Sequence, residues 1–190
     1  DPFWSQAWSL RALRLPDVWP SASGGPSTVV AVIDTGVDPA QPDLDGALVP
    51  GYDTLATGTG TADENGHGTA VAGLIAARSD NRVGVTSVCG SCSVMPVKVM
   101  SASGFGDAAH IATGIVWAAD HGARVINLSV VLDGPQQVVE DAVRYAHDRG
   151  VVVVAAAGNG GGADPTYPAA YPEVISVAAA KPYFSKALCV

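Results

Sequence analysis

The clearest pattern along the chain is a series of short, mainly apolar runs. Thr28-Val-Val-Ala-Val-Ile33 comes first and ends on Asp34; similar runs recur at Val94–Val99, Arg124–Leu128, Val151–Ala156 and Val174–Ala178. A strand that is apolar on both faces belongs inside a parallel sheet with helices on each side. Helical patterns lie between these runs. His67–Ala77 is built of small apolar residues, and Asp107–His121 starts on an Asp cap and stops at Gly122. Gln136–Arg149 carries Val138, Val139, Ala142, Val143 and Ala146 at helical spacing, with Pro135 at its first turn and Gly150 as its stop. Alternating strands and helices joined by short Gly turns predict an α/β fold, a three-layer sandwich with a mostly parallel central sheet. Residues 1–25, rich in Trp, Pro and Ser, read as a surface arm. No repeat or linker divides the rest, so residues 1–190 read as one domain.

In such a sheet, ligands bind outside the carboxyl ends of the strands. Those ends are Asp34-Thr-Gly36, Lys98-Val-Met-Ser-Ala-Ser-Gly-Phe-Gly106, Asn127-Leu-Ser129 and Ala157-Gly-Asn159, so Asp, Ser and Asn gather at one edge. Composition then removes several classes of function. With 48% apolar and 15% charged residues the chain is not a disordered one. Its longest apolar run, Val151–Gly158, is strand-sized and too short for a membrane span. Ten Lys and Arg against 18 Asp and Glu give a net charge of −8 without a basic cluster, which argues against a nucleic-acid partner. Glu64, Glu140 and Glu173 are the only glutamates among those 18 acids. Such Asp dominance suits loops, caps and calcium ligands more than helix surfaces.

Cys89 and Cys92 form a C-x-x-C pair, with Cys189 apart from them. A tetrahedral zinc site needs a second pair, and none exists. A thioredoxin-type motif opens a helix, whereas a strand pattern follows here. A local disulfide and two inert thiols both remain open.

Three residues at the strand ends can carry chemistry. Asp34, on a rigid strand end, can orient a neighbour, hold a metal or simply cap the next turn. His67 stands in Asn65-Gly-His-Gly-Thr-Ala-Val-Ala-Gly73, where a Gly-rich loop enters a helix and lets other backbone approach closely. An imidazole there can shuttle protons near neutral pH. Asn159 ends Ala155-Ala-Ala-Gly-Asn159, where a side-chain amide can donate to a developing oxyanion or merely occupy a turn before Gly160. His110, His121 and His147 fall in or at the ends of amphipathic helices and read as surface residues.

Val32-Ile-Asp-Thr-Gly-Val-Asp38, Asn65–Gly73, Val125-Ile-Asn-Leu-Ser129 and Ala155–Asn159 together resemble the subtilisin-like serine peptidases, the subtilase family, and within it the thermitase-like group. The resemblance runs from Asp1 to about Ala179. It implies a subtilisin-like fold, C-terminally incomplete and so a partial catalytic domain, and peptide-bond cleavage by an Asp-His-Ser triad. Asp34 would hold the tautomer of His67, His67 would act as general base and then acid, and Asn159 would donate to the oxyanion. Two extended segments, Ser103-Gly104-Phe105-Gly106 and Leu128-Ser129-Val130-Val131, would flank a peptide or protein substrate in extended conformation. Val131 stands where the family often has Gly, and its branched side chain would narrow the first specificity pocket or tilt the peptide. A calcium site is implied too: Asp1, Asp43 and Asn81 match its side-chain ligands, and carbonyls of Arg78, Val83 and Val85 would complete the shell. Secretion from the cell is a further implication.

The family's nucleophile is the Ser of a Gly-Thr-Ser-x-Ala-x-Pro block, and these 190 residues hold no such block. After Asn159 the serines are Ser176, inside the last strand pattern, and Ser185, in a tail of residues 181–190 where the resemblance ends. The alternative is therefore an inactive subtilase fragment or pseudo-peptidase that binds extended peptides. A C-terminal segment or pro-segment is a possible complementing partner. A metal-dependent hydrolase using Asp34, Asp63 and His67 is a weaker rival, because H-x-E-type spacing is missing. A dinucleotide-binding domain is weaker still, since Thr35-Gly36 lacks the Gly-x-x-Gly that should follow the first strand.

Overall fold

A computed structural model of the chain describes residues 1–162 and 164–180. The tail expected to be atypical, with Ser185 and Cys189, lies outside the described residues. Six strands form one sheet in the order β2-β3-β1-β4-β5-β6, with every pair parallel. They are β1 (Val29–Asp34), β2 (Tyr52–Asp53), β3 (Ser93–Lys98), β4 (Val125–Leu128), β5 (Val152–Ala156) and β6 (Val174–Val177). The predicted α/β sandwich is the observed fold. The central strand β1 is buried from Val30 to Asp34, which is why its sequence shows no alternation.

The longer helices are α3 (His67–Ala76), α4 (Ala108–Asp120) and α5 (Gln137–Asp148). Asp107 caps α4 by accepting from the His110 N–H at 2.9 Å, and Gly122 follows its end at φ +91°. The expected elements therefore hold, with ends that move by one residue. The arm is not irregular: it forms a 3-10 turn (Trp4–Gln6) and two short helices, α1 (Trp8–Ala12) and α2 (Leu15–Val18), and it buries Leu10. Segments of four or five residues are too short to leave a periodic signal.

The two sheet faces are covered unequally. Ala31, Ile33, Val97, Ile126, Leu128, Val153 and Ala155 point to one face and pack with Ile111, Ile115, Val139 and Val143 of α4 and α5. On the other face α3 covers β1 and β3, burying Ala72 and Ala76 against Val32 and Val94. Beyond α3, the same face of β5 and β6 presents Val152, Ile175 and Val177, which are 44%, 55% and 50% exposed. Apolar side chains in this register normally need a covering layer.

Candidate active site

The carboxyl end of β1 delivers Asp34 to the meeting point of α3 and β3. The α3 helix starts without a side-chain cap, from Gly66 at φ +101°. At Gly68 a Cβ atom would stand 2.1 Å from the Gly36 carbonyl oxygen and 3.1 Å from Asp34 Cβ, so only glycine lets the helix start approach the strand end. That approach brings together two residues 33 positions apart. His67 Nδ1 and Asp34 Oδ1 are 2.7 Å from each other. Asp34 is wholly buried, while the His67 side chain is 49% exposed. The Thr35 N–H also donates to Asp34 Oδ1 at 2.7 Å, and Asp34 Oδ2 is buried without a partner among the described residues. An unpaired buried acceptor costs about 1–3 kcal/mol, so this carboxylate is not there for stability.

Asp63 organises the turn that presents His67. One of its oxygens accepts from Thr35 Oγ1 at 2.8 Å and from the N–H groups of Asn65 and Gly66 at 3.0 and 2.8 Å. The other accepts from the N–H and hydroxyl of Thr69 at 2.9 and 2.6 Å. Thr35 Oγ1 in turn accepts from the Gly68 N–H at 3.0 Å. The residue after Asp34 and the first turn of α3 are thus pinned to one carboxylate. Burial raises the Asp63 pKa, but the bonds from Thr69, Gly66 and Thr35 outweigh it and hold the value at about 2, below the usual 3.8. The native state therefore binds this proton less readily than the unfolded chain. The stabilisation is complete above about pH 4 and is lost as the pH falls through about 2. Asp63→Asn is expected to be less stable than the wild type near neutral pH, and the gap should close towards pH 2. Urea unfolding across that range tests this; a gap that stayed constant would contradict it.

Lys98 was not singled out by its sequence context, yet it is wholly buried at the end of β3. Its Nζ donates to the Ala62 carbonyl at 2.8 Å, to Glu64 Oε2 at 2.9 Å and to Thr59 Oγ1 at 3.4 Å. The pairing fastens the loop before His67 to the sheet. Asn65 ties the same loop across to Ala102, its Nδ2 donating to that carbonyl at 2.9 Å.

A groove of about 320 Å³ opens beside the imidazole. Its walls include Gly104, Phe105 and Gly106 on one side and Ser129, Val130 and Val131 on the other, with Asn65, His67, Met100 and Ile111 between them. Six of the eight predicted substrate-binding residues therefore line it. Leu128 is buried in the core, and neither Ser103 nor Asn159 lines the groove. The segment Ser103–Gly106 is not extended throughout. Gly104, at φ +78°, donates its N–H to the Ser101 carbonyl at 2.9 Å, and the Ser101 N–H closes the turn onto the Phe105 carbonyl, also at 2.9 Å. Asn159 lies in an exposed bend past the end of β5.

The six residues expected around calcium belong to one web of loops. Asp43 is 5% exposed; it accepts from Asn81 Nδ2 at 2.9 Å and from the Val85 N–H at 2.7 Å, and the Arg78 N–H donates to its carbonyl at 2.8 Å. Asn81 Oδ1 accepts from the Val83 N–H at 2.7 Å. Asp1 accepts from the Asp80 and Arg82 N–H groups at 3.0 and 3.2 Å and from Thr86 Oγ1 at 2.6 Å. Among the described residues no three His, Cys, Asp or Glu side chains are grouped to hold a metal. Asp63 spends both oxygens on N–H and O–H donors of its own turn and of Thr35 and Thr69. Cys89 and Cys92 are joined in a disulfide.

The chain matches the subtilase family over residues 25–187. It is 42% identical over 165 residues to a thermophilic serine proteinase of Bacillus sp. (strain AK1), a span of 87% of this chain and 41% of that protein. It is 39% identical over 179 residues to thermitase of Thermoactinomyces vulgaris, which covers 94% of this chain and 64% of thermitase. It is 40% identical over 179 residues to Subtilisin Savinase of Lederbergia lenta, with 92% and 64% covered. The chain thus spans less than two thirds of the length of each of these relatives.

Proposed function

The chain belongs to the subtilase family, and from that membership we propose that it supplies the Asp34 and His67 part of a serine endopeptidase site that cleaves extended peptides. The observation that carries this reading is the 2.7 Å contact between a wholly buried carboxylate and a half-exposed imidazole at the edge of a groove. With Nδ1–H held by Asp34, the Nε2 atom of His67 is free to take a proton from a serine hydroxyl and to return it to the leaving amine. The unpaired Asp34 Oδ2 fits the same role: negative charge kept out of water favours the imidazolium that forms between the two transfers. Asn159 is the proposed oxyanion donor, a contribution of about 2.7–4 kcal/mol for such a donor in subtilisin itself.

The nucleophile comes from a serine outside these 190 residues, on a C-terminal segment or another chain. The exposed face of Val152, Ile175 and Val177 supports this, because a covering helix that carried the serine would bury it. Substrate backbone pairs with the groove walls at Gly104–Gly106 and Ser129–Val131, which demands little of the substrate sequence. Val131 sets one limit. Its Cγ2 stands 3.6 Å from the Cβ position of Gly158, so it reaches across the gap between the ends of β4 and β5 and favours small side chains there.

Calcium is proposed at Asp1, Asp43 and Asn81 with the Arg78, Val83 and Val85 carbonyls. The fit rests on Asp43, a buried carboxylate with no cationic side chain at ion-pair distance among the described residues. The oxygen donors suit a hard cation, whose charge would compensate that burial and tie the arm to the 78–86 loop. We place the protein outside the cell. The Cys89–Cys92 disulfide favours an oxidising compartment, and among the described residues no helix is long and apolar enough to cross a membrane.

The test uses the polypeptide that carries these residues, an unfolded protein substrate and a fluorophosphonate probe. Hydrolysis is expected, with covalent label on a serine outside residues 1–190 and loss of activity on labelling. Label on Ser176 or Ser185 would overturn the assignment of the nucleophile. Tight peptide binding with neither cleavage nor label would favour the inactive, peptide-binding form.

A further inference from the structure

The C-x-x-C pair plays no part in peptide cleavage, and its surroundings assign it a different task. The turn that carries it is anchored to the body. The Cys89 N–H donates to the Ile75 carbonyl at 2.9 Å, and Arg78 Nη1 donates to the Gly90 and Cys92 carbonyls at 2.9 and 3.2 Å. Cys92 is 2% exposed and packs with Val32, Val94 and Ala76, whereas Cys89 is partly exposed. The N-terminal arm lies across this turn. Trp19 Nε1 donates to the Val88 carbonyl at 2.9 Å, Ser91 Oγ to the Ser23 carbonyl at 2.6 Å and Ser93 Oγ to the Pro26 carbonyl at 2.9 Å. At Gly24 the arm touches the disulfide itself: a Cβ there would stand 2.2 Å from Cys89 Sγ and 2.7 Å from Cys92 Sγ.

We infer that the Cys89–Cys92 disulfide is a dithiol-reducible clamp, and that reducing it releases the N-terminal arm. A bonded sulfur pair is about 2.05 Å apart. Two thiols must separate to roughly 3.5–4 Å, the ordinary distance between non-bonded heavy atoms. Cys92 is held in the core, so Cys89 has to move, and the arm at Gly24 leaves no room even for a methyl group. The chemistry is thiol exchange with an external dithiol. Its thiolate attacks Cys89 Sγ, the S–S bond breaks, and Cys92 leaves as a thiolate that takes up a proton. The reductant's second thiol then displaces Cys89, which is protonated in turn. Two electrons and two protons pass to the protein, and the reductant departs as its own disulfide.

The arm also carries Asp1, whose carboxylate holds the Asp80 and Arg82 N–H groups, and Phe3, whose N–H donates to the Gly84 carbonyl at 3.3 Å. Release therefore loosens the 78–86 loop as well. The test is hydrogen exchange on the protein in a calcium chelator, with and without dithiothreitol, alkylation verifying that both cysteines are reduced. Reduction is expected to speed exchange at Ser21, Ala22, Asp80 and Arg82 by at least tenfold, while Gly66 and Thr69 keep their rates. Gly24→Ala in the oxidised protein is expected to speed the same arm and loop amides without any reductant. The inference fails if the disulfide resists dithiothreitol until the chain unfolds, or if reduced protein exchanges at unchanged rates. It also fails if Gly66 and Thr69 speed up equally, or if Gly24→Ala leaves the arm as it was.

Discussion

His67→Ala should lower the rate of peptide hydrolysis by about 10⁶-fold, and Asp34→Ala by about 10⁴-fold, the magnitudes found when these roles are removed in subtilisin. The inequality follows from the geometry. In the proposed mechanism His67 is the group that moves the proton, and among the described residues that line the groove there is no other base. Asp34 would act through His67: without it the imidazole of the proposed mechanism could still reach the hydroxyl, but its tautomer and its positive charge would lose their support. The double variant should be no slower than His67→Ala, because the carboxylate has nothing to orient once the ring is gone. The folded state is expected to survive His67→Ala, since that side chain is half exposed and fills no core space. The measurement is kcat on a peptide substrate, with the thermal midpoint as the control for folding. A full rate in Asp34→Ala would end the assignment of Asp34.

Calcium at a thousandfold excess over its Kd should stabilise the protein by about 4 kcal/mol. For a domain of this size that is a rise in midpoint of roughly 8–16 °C over the chelated state. Asp43→Ala is expected to abolish the response, because this carboxylate is the one buried among neutral partners. Magnesium should not substitute, as it prefers a smaller, stricter octahedral shell. Equal midpoints in calcium and in chelator, measured by calorimetry on the wild type, would remove the cation from the account.

The elements differ in how far they could be read before the fold was known. β1 and β3 announce themselves because a strand covered on both faces shows no alternation of polar and apolar positions. The ends of α4 are equally legible, since Asp107 and Gly122 satisfy helix termini by local chemistry. β2 is not: its two residues are a strand only through register with Val97 and Lys98. Nor is the turn inside Ser103–Gly106, where the family resemblance suggested an extended segment and Gly104 turned the chain back. Asp63 offered a faint signal, an Asp ahead of an Asn-Gly turn. Its reach to Thr35, 28 positions away, offered none. Lys98 carried no signal within the Val94–Val99 run, and it is buried because the 59–64 loop folds over it.

The order of strands and helices, the identity of the apolar faces and the candidate residues at the strand ends were therefore set by the amino-acid sequence alone. These are local properties, decided by residue type and spacing within a dozen positions. The tertiary structure alone decided that Asp34 and His67 meet, that Asp34 keeps one oxygen unpaired, and that the arm rests on the disulfide. Such facts depend on strand register and on close approach at a few glycines, where a shift of one ångström makes or breaks a shared proton. No local pattern encodes a distance across thirty-three residues of chain.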